Sequence, residues 1–374
     1  SVRELPMTIT FLLIAVCFLA YANGANDNFK GVASLFGSGA VNYRRALLWA
    51  NLTTLAGSLC SFYFAQGLLL KFSGKVLVQE ALVHSVPFMS TVAGGAGATV
   101  LLATRLGFPV STTHALLGAM IGSAVVAAFG EINLAALGSH FMLPLLLSPL
   151  AAMGLSMLVT WVASALRRRI PIYPNACLCE EGAAIPLATG NVAWFEEPKR
   201  RFLISGWDDC THREARVLFG FNRQKIADGL HFFSSGAVCF ARGLNDTPKI
   251  AALLLLVPDF GASYSIVLVA GMMILGGLFS AKRVAQTMSH KITTIDHDQG
   301  LSANLTTAFL VILASQIGMP VSTTHVSVGA LFGIGLLSGH ARLGVIKAIV
   351  LSWMLTLPCA ALIAGAIYST QLTL

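Results

Sequence analysis

The sequence predicts an all-α integral membrane protein: two inverted repeats of transmembrane helices, with broken or re-entrant helices meeting at a midplane site. Three observations predict it. Of 374 residues, 56% are hydrophobic and only 11% are charged. The apolar residues gather into long blocks. Two polar strings set among those blocks each occur twice. A soluble domain averages about 25% charged residues, so a water-facing surface cannot be assembled from this composition. Lipid is the expected solvent, and the expected place is the cell membrane (inner or plasma), crossed several times.

Leu143–Leu166, Ile266–Ser280 and Ile346–Ile367 carry almost no charge, and Met7–Tyr21, Ala46–Leu70 and Val110–Phe129 are similar. A helix needs about 20 apolar residues to cross a bilayer core. Some of the roughly ten hydrophobic segments are too short to be simple spans. A barrel would show alternation over about ten residues, and the blocks do not alternate.

The net charge of +8 sits between the blocks, at Arg44–Arg45, Arg167–Arg169, Lys199–Arg201 and Lys282–Arg283. Cytoplasmic loops acquire this pattern by the positive-inside rule, which argues against nucleic acid as a partner. Of the seven cysteines, four lie in apolar segments, where Cys behaves as a small hydrophobe. Nothing suggests a disulfide framework.

The two halves repeat. Ala22-Asn23-Gly24-Ala25-Asn26-Asp27 resembles Ala241-Arg242-Gly243-Leu244-Asn245-Asp246, and Gly107-Phe108-Pro109-Val110-Ser111-Thr112-Thr113-His114 resembles Gly318-Met319-Pro320-Val321-Ser322-Thr323-Thr324-His325. Gly118 and Gly122 then match Gly329 and Gly333 in register. Both strings recur at nearly the same offset, which implies one duplicated unit. Residues 1–166 are the N-terminal transmembrane repeat, 167–225 a polar cytoplasmic loop and 226–374 the C-terminal repeat. The loop after the first motif helix holds Arg44 and Arg45, and its counterpart holds Asp259. Opposite charge bias puts the loops on opposite sides of the membrane, hence inverted repeats. In the middle segment Cys177, Cys179, Cys210 and His212 could form a zinc set, but the spacing matches no standard finger. The expectation is a reduced loop with no metal and no cofactor.

Each Pro-Val-Ser-Thr-Thr-His string predicts a helix start inside the membrane. Proline keeps its predecessor extended, and Ser111 or Ser322 supplies an N-cap oxygen. The first N–H groups of such a helix lack intrahelical partners and must be satisfied in lipid. An anion suits them, because a helix N-terminus carries about half a positive charge. Ser111, Thr112, Thr113, Ser322, Thr323 and Thr324 add hydroxyls; two facing starts would cradle a tetrahedral oxyanion. Alternatively these hydroxyls only cap and glue helices. His114 and His325 either titrate and orient a hydroxyl or pack as hydrogen-bonded core residues.

Asp27 and Asp246 follow an apolar block and a glycine, inside what reads as a broken helix. A carboxylate embedded in lipid is costly and points to function. It can ligate a small cation, take up a proton, or form a buried pair with lysine. Lys30 and Lys249 lie three residues on, hence on the same helical face. Each could neutralise its aspartate, hold an anion as a point charge or snorkel to the interface.

The two Asn-Asp motifs and the two Ser-Thr-Thr-His strings together resemble the inorganic phosphate transporter (PiT) family over both halves, excluding the central segment. That resemblance implies a helical inverted-repeat carrier of inorganic phosphate, driven by sodium or protons. It implies that Ser111, Thr112, Thr113, Ser322, Thr323, Thr324, Asn26 and Asn245 meet the anion, and that Asp27 and Asp246 handle the coupling ion. One departure stands out. Sodium-coupled members often have Asn three residues after the aspartate, where this chain has Lys30 and Lys249. The lysines would then stand in for the cation, making transport proton-coupled or sodium-independent. The family also includes sulfate permeases, so sulfate is the alternative anion. No P-loop is present in the sequence, and a non-enzymatic secondary carrier is preferred over a membrane-embedded phosphatase or an anion channel. A homodimer is left open.

Overall fold

The computed structural model describes residues 4–128, 132–169, 175–181, 201–206, 216–255, 257, 260–291, 297–339, 341 and 343–373. They fall into two units, Ser1–Thr160 with His231–Leu374, and Trp161–Leu230. The longer helices are α1 (Glu4–Asp27), α2 (Tyr43–Phe64), α3 (Val86–Leu106), α4 (Thr112–Ala128), α5 (Leu143–Arg169), α6 (Arg223–Ala251), α7 (Ala262–Ser280), α8 (His297–Gln316), α9 (Thr323–Ser338) and α10 (Leu343–Thr373).

Among the described residues, six stretches are long and apolar enough to cross a membrane: Met7–Gly37, Tyr43–Phe64, Val86–Leu106, Leu134–Leu166, Ala262–Ser280 and Ile346–Gln371. The chain is a multi-pass membrane protein. The helices that follow the Ser-Thr-Thr-His strings, α4 and α9, are apolar but shorter, as expected of segments that are not simple spans. Large apolar side chains such as Leu146, Leu150, Phe279, Met354 and Leu362 face outward, while Asn, Asp, Ser and Thr side chains of the repeated motifs are buried. Lipid rewards this polarity.

The chain breaks where the strings say it should. Gly107 closes α3 at φ +78°, and Gly318 follows α8 at φ +65°, a left-handed conformation that only glycine adopts cheaply. Phe108 N–H then donates to the Ala103 carbonyl at 2.9 Å, and Met319 N–H to the Ala314 carbonyl at 2.7 Å. After the proline, Ser111 Oγ accepts from His114 N–H at 3.3 Å and Ser322 Oγ from His325 N–H at 3.2 Å. These caps start α4 and α9.

Glycines set how the helices associate. Gly118 and Gly122 of α4 lie against the carbonyls of Leu357 and Ala361 on α10, and Gly329 and Gly333 of α9 against those of Pro149 and Met153 on α5. Gly24 of α1 meets the Met273 carbonyl on α7, and Gly243 of α6 meets the Thr54 carbonyl on α2. A methyl at any of these sites would collide with backbone. Small residues permit such close approach in lipid. Each of the four motif helices therefore leans on a helix from the other half.

In the second unit, the described residues of the segment expected to be a loop form three strands: β1 (Asn175–Glu181), β2 (Arg201–Gly206) and β3 (Arg216–Asn222). They form an antiparallel sheet in the order β2-β1-β3, with Cys177 opposite Ser205 and Gly220. Cys177 is disulfide-bonded, which corrects the reduced-loop expectation. Cys210 and His212 lie outside the described residues, and no group of three metal-ligating side chains occurs among the described ones.

Candidate functional site

All the repeated motifs come together inside the first unit, in two matching half-sites. α1 ends at Asp27 and continues as a 3-10 turn over Asn28–Val32. That turn carries Lys30 back over its own aspartate. Lys30 Nζ pairs with Asp27 Oδ1 and donates to the Val110 carbonyl at 2.8 Å and to Thr324 Oγ1 at 2.7 Å. In the other half-site, Lys249 Nζ lies 3.4 Å from Asp246 Oδ1. It donates to the Val321 carbonyl and to Thr113 Oγ1, both at 2.8 Å. Both lysines and both aspartates are buried, so each ammonium has a carboxylate, a carbonyl and a hydroxyl in place of water. The pairing satisfies the demand that a buried charge be compensated.

The threonines divide their work. Thr113 and Thr324 also donate across to the Val321 and Val110 carbonyls, at 3.4 and 3.0 Å. They tie the two chain breaks together. Thr112 and Thr323 face the aspartates, donating to Asp27 Oδ2 at 3.2 Å and Asp246 Oδ2 at 3.4 Å. Ser111 and Ser322 cap their helices, and Ser111 Oγ also lies 3.0 Å from His114 Nδ1. The His114 and His325 rings approach to 4.5 Å between centroids, and His325 stacks on Trp353 at 3.8 Å. The histidines are thus packed between the two helix starts.

Asn26 and Asn245 hold the breaks themselves. Asn26 donates to Thr104 Oγ1 at 2.9 Å and to the Phe108 carbonyl at 3.0 Å, and accepts from Val110 N–H at 3.1 Å. Asn245 donates to the Val321 carbonyl at 3.3 Å and accepts from Ser315 Oγ at 3.2 Å. Each amide spans the point where the backbone leaves one helix before starting the next.

Two residues at this site were not singled out by sequence reasoning. Asn23 donates to Thr112 Oγ1 at 2.8 Å and to Asp27 Oδ2 at 3.0 Å. Its counterpart Arg242 is fully buried, donates from Nη1 to Thr323 Oγ1 at 3.0 Å and lies 3.7 Å from Asp27 Oδ1. The signal was available: Arg242 is the one ionisable mismatch between the two copies of the first motif, in an otherwise apolar setting.

A buried cluster of paired ions, with two capped helix starts aimed at it, can hold an anion. The chain matches known proteins along nearly its whole length. A relative from Pyrococcus horikoshii bearing the name "Putative phosphate permease" is 27% identical, with 97% of this chain and 98% of that protein covered. The chloroplastic inorganic phosphate transporter 2-1 of Arabidopsis thaliana is 26% identical, with 93% and 69% covered. A solved structure described as the sodium-dependent phosphate transporter shares the fold, with a TM-score of 0.78 at 22% identity over 98% of this chain and all of that one. The model of the phosphate transporter family matches residues 23–364, and the chain belongs to that family.

Proposed function

We propose that this protein is a secondary carrier of inorganic phosphate that works by alternating access and needs no sodium. One observation carries the reading: each motif aspartate holds the lysine three residues after it, and each lysine is bonded to a threonine of the opposite Ser-Thr-Thr-His string. An aspartate in this position would otherwise offer hard oxygen ligands to a small cation. Here an ammonium already occupies that place, and it would repel sodium. The name of the solved structure that shares this fold speaks of sodium dependence; the lysines are the reason to separate this chain from that property.

The carrier cycle follows from the parts. Phosphate enters between the two halves and meets the starts of α4 and α9, where Ser111, Thr112, Thr113, Ser322, Thr323 and Thr324 stand. Protonation at Asp27 or Asp246 loosens its lysine, freeing that ammonium and the matching threonine for the anion. The halves, arranged as inverted repeats, then rock about the crossed contacts between them. Broken helices converging on one central site suit such motion, whereas a channel would need weak binding at several sites along an open pore.

Counterflow tests this reading. Purified protein in liposomes preloaded with unlabelled phosphate should accumulate external radiolabelled phosphate with saturation. Unlabelled sulfate in excess should compete weakly. Accumulation of labelled sulfate in place of phosphate would move the substrate to the alternative oxyanion, and unitary currents would replace the carrier with a channel.

A further inference from the structure

Arg242 is built for a ligand that the rest of the site does not provide. Its side chain is fully buried. One guanidinium nitrogen, Nη1, is used: it donates to Thr323 Oγ1 at the start of α9. The other two, Nε and Nη2, have no hydrogen-bond partner among the described residues. Those two atoms form one edge of the guanidinium, the pair of parallel donors that grips a carboxylate or phosphate with two hydrogen bonds at once. Buried donors are nearly always satisfied, so an open edge of this kind asks for a partner.

The charges point the same way. Lys30 and Lys249 each have within ion-pair distance the carboxylate three residues before them. Arg242 has only a share of Asp27, already bonded by Lys30, Asn23 and Thr112. The described centre thus holds three cations against two carboxylates and carries one surplus positive charge. The excess lies on one side, because the matching position in the other half is Asn23, a neutral amide.

We propose that Arg242 is the primary anion-gripping residue of this site: its Nε–H and Nη2–H edge binds two oxygens of one tetrahedral oxyanion, beside the Thr323 hydroxyl. The proposal rests on the phosphate-carrier reading and deepens it, because it makes the two half-sites unequal. The half containing α6 and α9 holds the anion, and the half containing α1 and α4 supplies the neutral Asn23 side. An anion seated on this edge would also cancel the surplus charge with no accompanying metal cation.

The test uses the full chain in lipid nanodiscs with inorganic phosphate as the probe. Binding is read by calorimetry for wild type, Arg242→Lys and Arg242→Asn, with thermal melting to report folding. Arg242→Lys keeps the charge and loses the fork, and Arg242→Asn installs the residue of the other half. We expect both variants to fold and to lose phosphate affinity, by about tenfold or more for the lysine variant and further for asparagine. Lysine binding within about twofold of wild type would overturn the fork. Failure of both variants to fold, with or without phosphate, would make Arg242 a packing residue and overturn the proposal. A wild-type chain that binds sulfate but not phosphate would sink the phosphate assignment alone, and the same variants would then judge Arg242 with sulfate. Wild type binding neither anion would end both.

Discussion

Lys30 Nζ donates to Thr324 Oγ1 at 2.7 Å, across 294 positions of chain. Lys249 returns the bond to Thr113 at 2.8 Å. The lysines therefore do two things at once: each neutralises its own aspartate, and each anchors the helix start of the other half. Removing either partner should loosen both the ion cluster and the seam between halves.

Thr324→Val and Thr113→Val keep the shape and remove the hydroxyl. A hydrogen bond to a charged group contributes about 1.5–3 kcal/mol. Each variant should lose stability of that order in thermal or denaturant melts, and the two losses should be similar because the contacts match. A loss confined to one threonine would mean that the half-sites are not equivalent in this respect.

Asp27→Asn leaves Lys30 and Arg242 buried without their carboxylate. Removing one partner of a buried pair costs about 3–5 kcal/mol. The double variant Asp27→Asn with Lys30→Gln should be more stable than Asp27→Asn alone, since it removes the orphaned charge as well. Additive destabilisation in that cycle would contradict the pairing.

Ser111→Ala and Ser322→Ala remove the caps that start α4 and α9. Loss of a cap costs about 1 kcal/mol, and phosphate affinity should fall in both because the helix starts no longer hold their geometry. Phosphate affinity equal to wild type in both variants would count against these helix starts as the anion site.

Gly122→Ala sends a methyl into the Ala361 carbonyl. Overpacking of this kind costs about 1–3 kcal/mol. Gly154→Ala is the control: none of the described residues lies within 4 Å of its added methyl, and alanine favours helix by up to about 1 kcal/mol. Folded yield and melting temperature should drop for the first and hold or rise for the second.

The sequence made some of this legible and hid the rest for physical reasons. The starts of α4 and α9 were readable because proline and a capping serine act locally. The in-register glycines were visible too, but not that they exchange partners between halves, since that depends on contacts far apart in sequence. The amides of Asn26 and Asn245 span the backbone breaks, a role that spacing alone does not express. Arg242 was hidden by a repeat that invites attention to matches rather than mismatches. The three strands of the central segment were missed because its charge and lack of apolar blocks read as loop.

Gradient-driven uptake shows whether Lys30 and Lys249 take the place of a coupling cation. Proteoliposomes would be given an inward proton gradient without sodium, or an inward sodium gradient without a proton gradient, and radiolabelled phosphate uptake would be followed. Uptake should be concentrative with protons alone, with no added accumulation from sodium. Accumulation driven by sodium, at equal pH on both sides, would mean that the two lysines do not replace the cation.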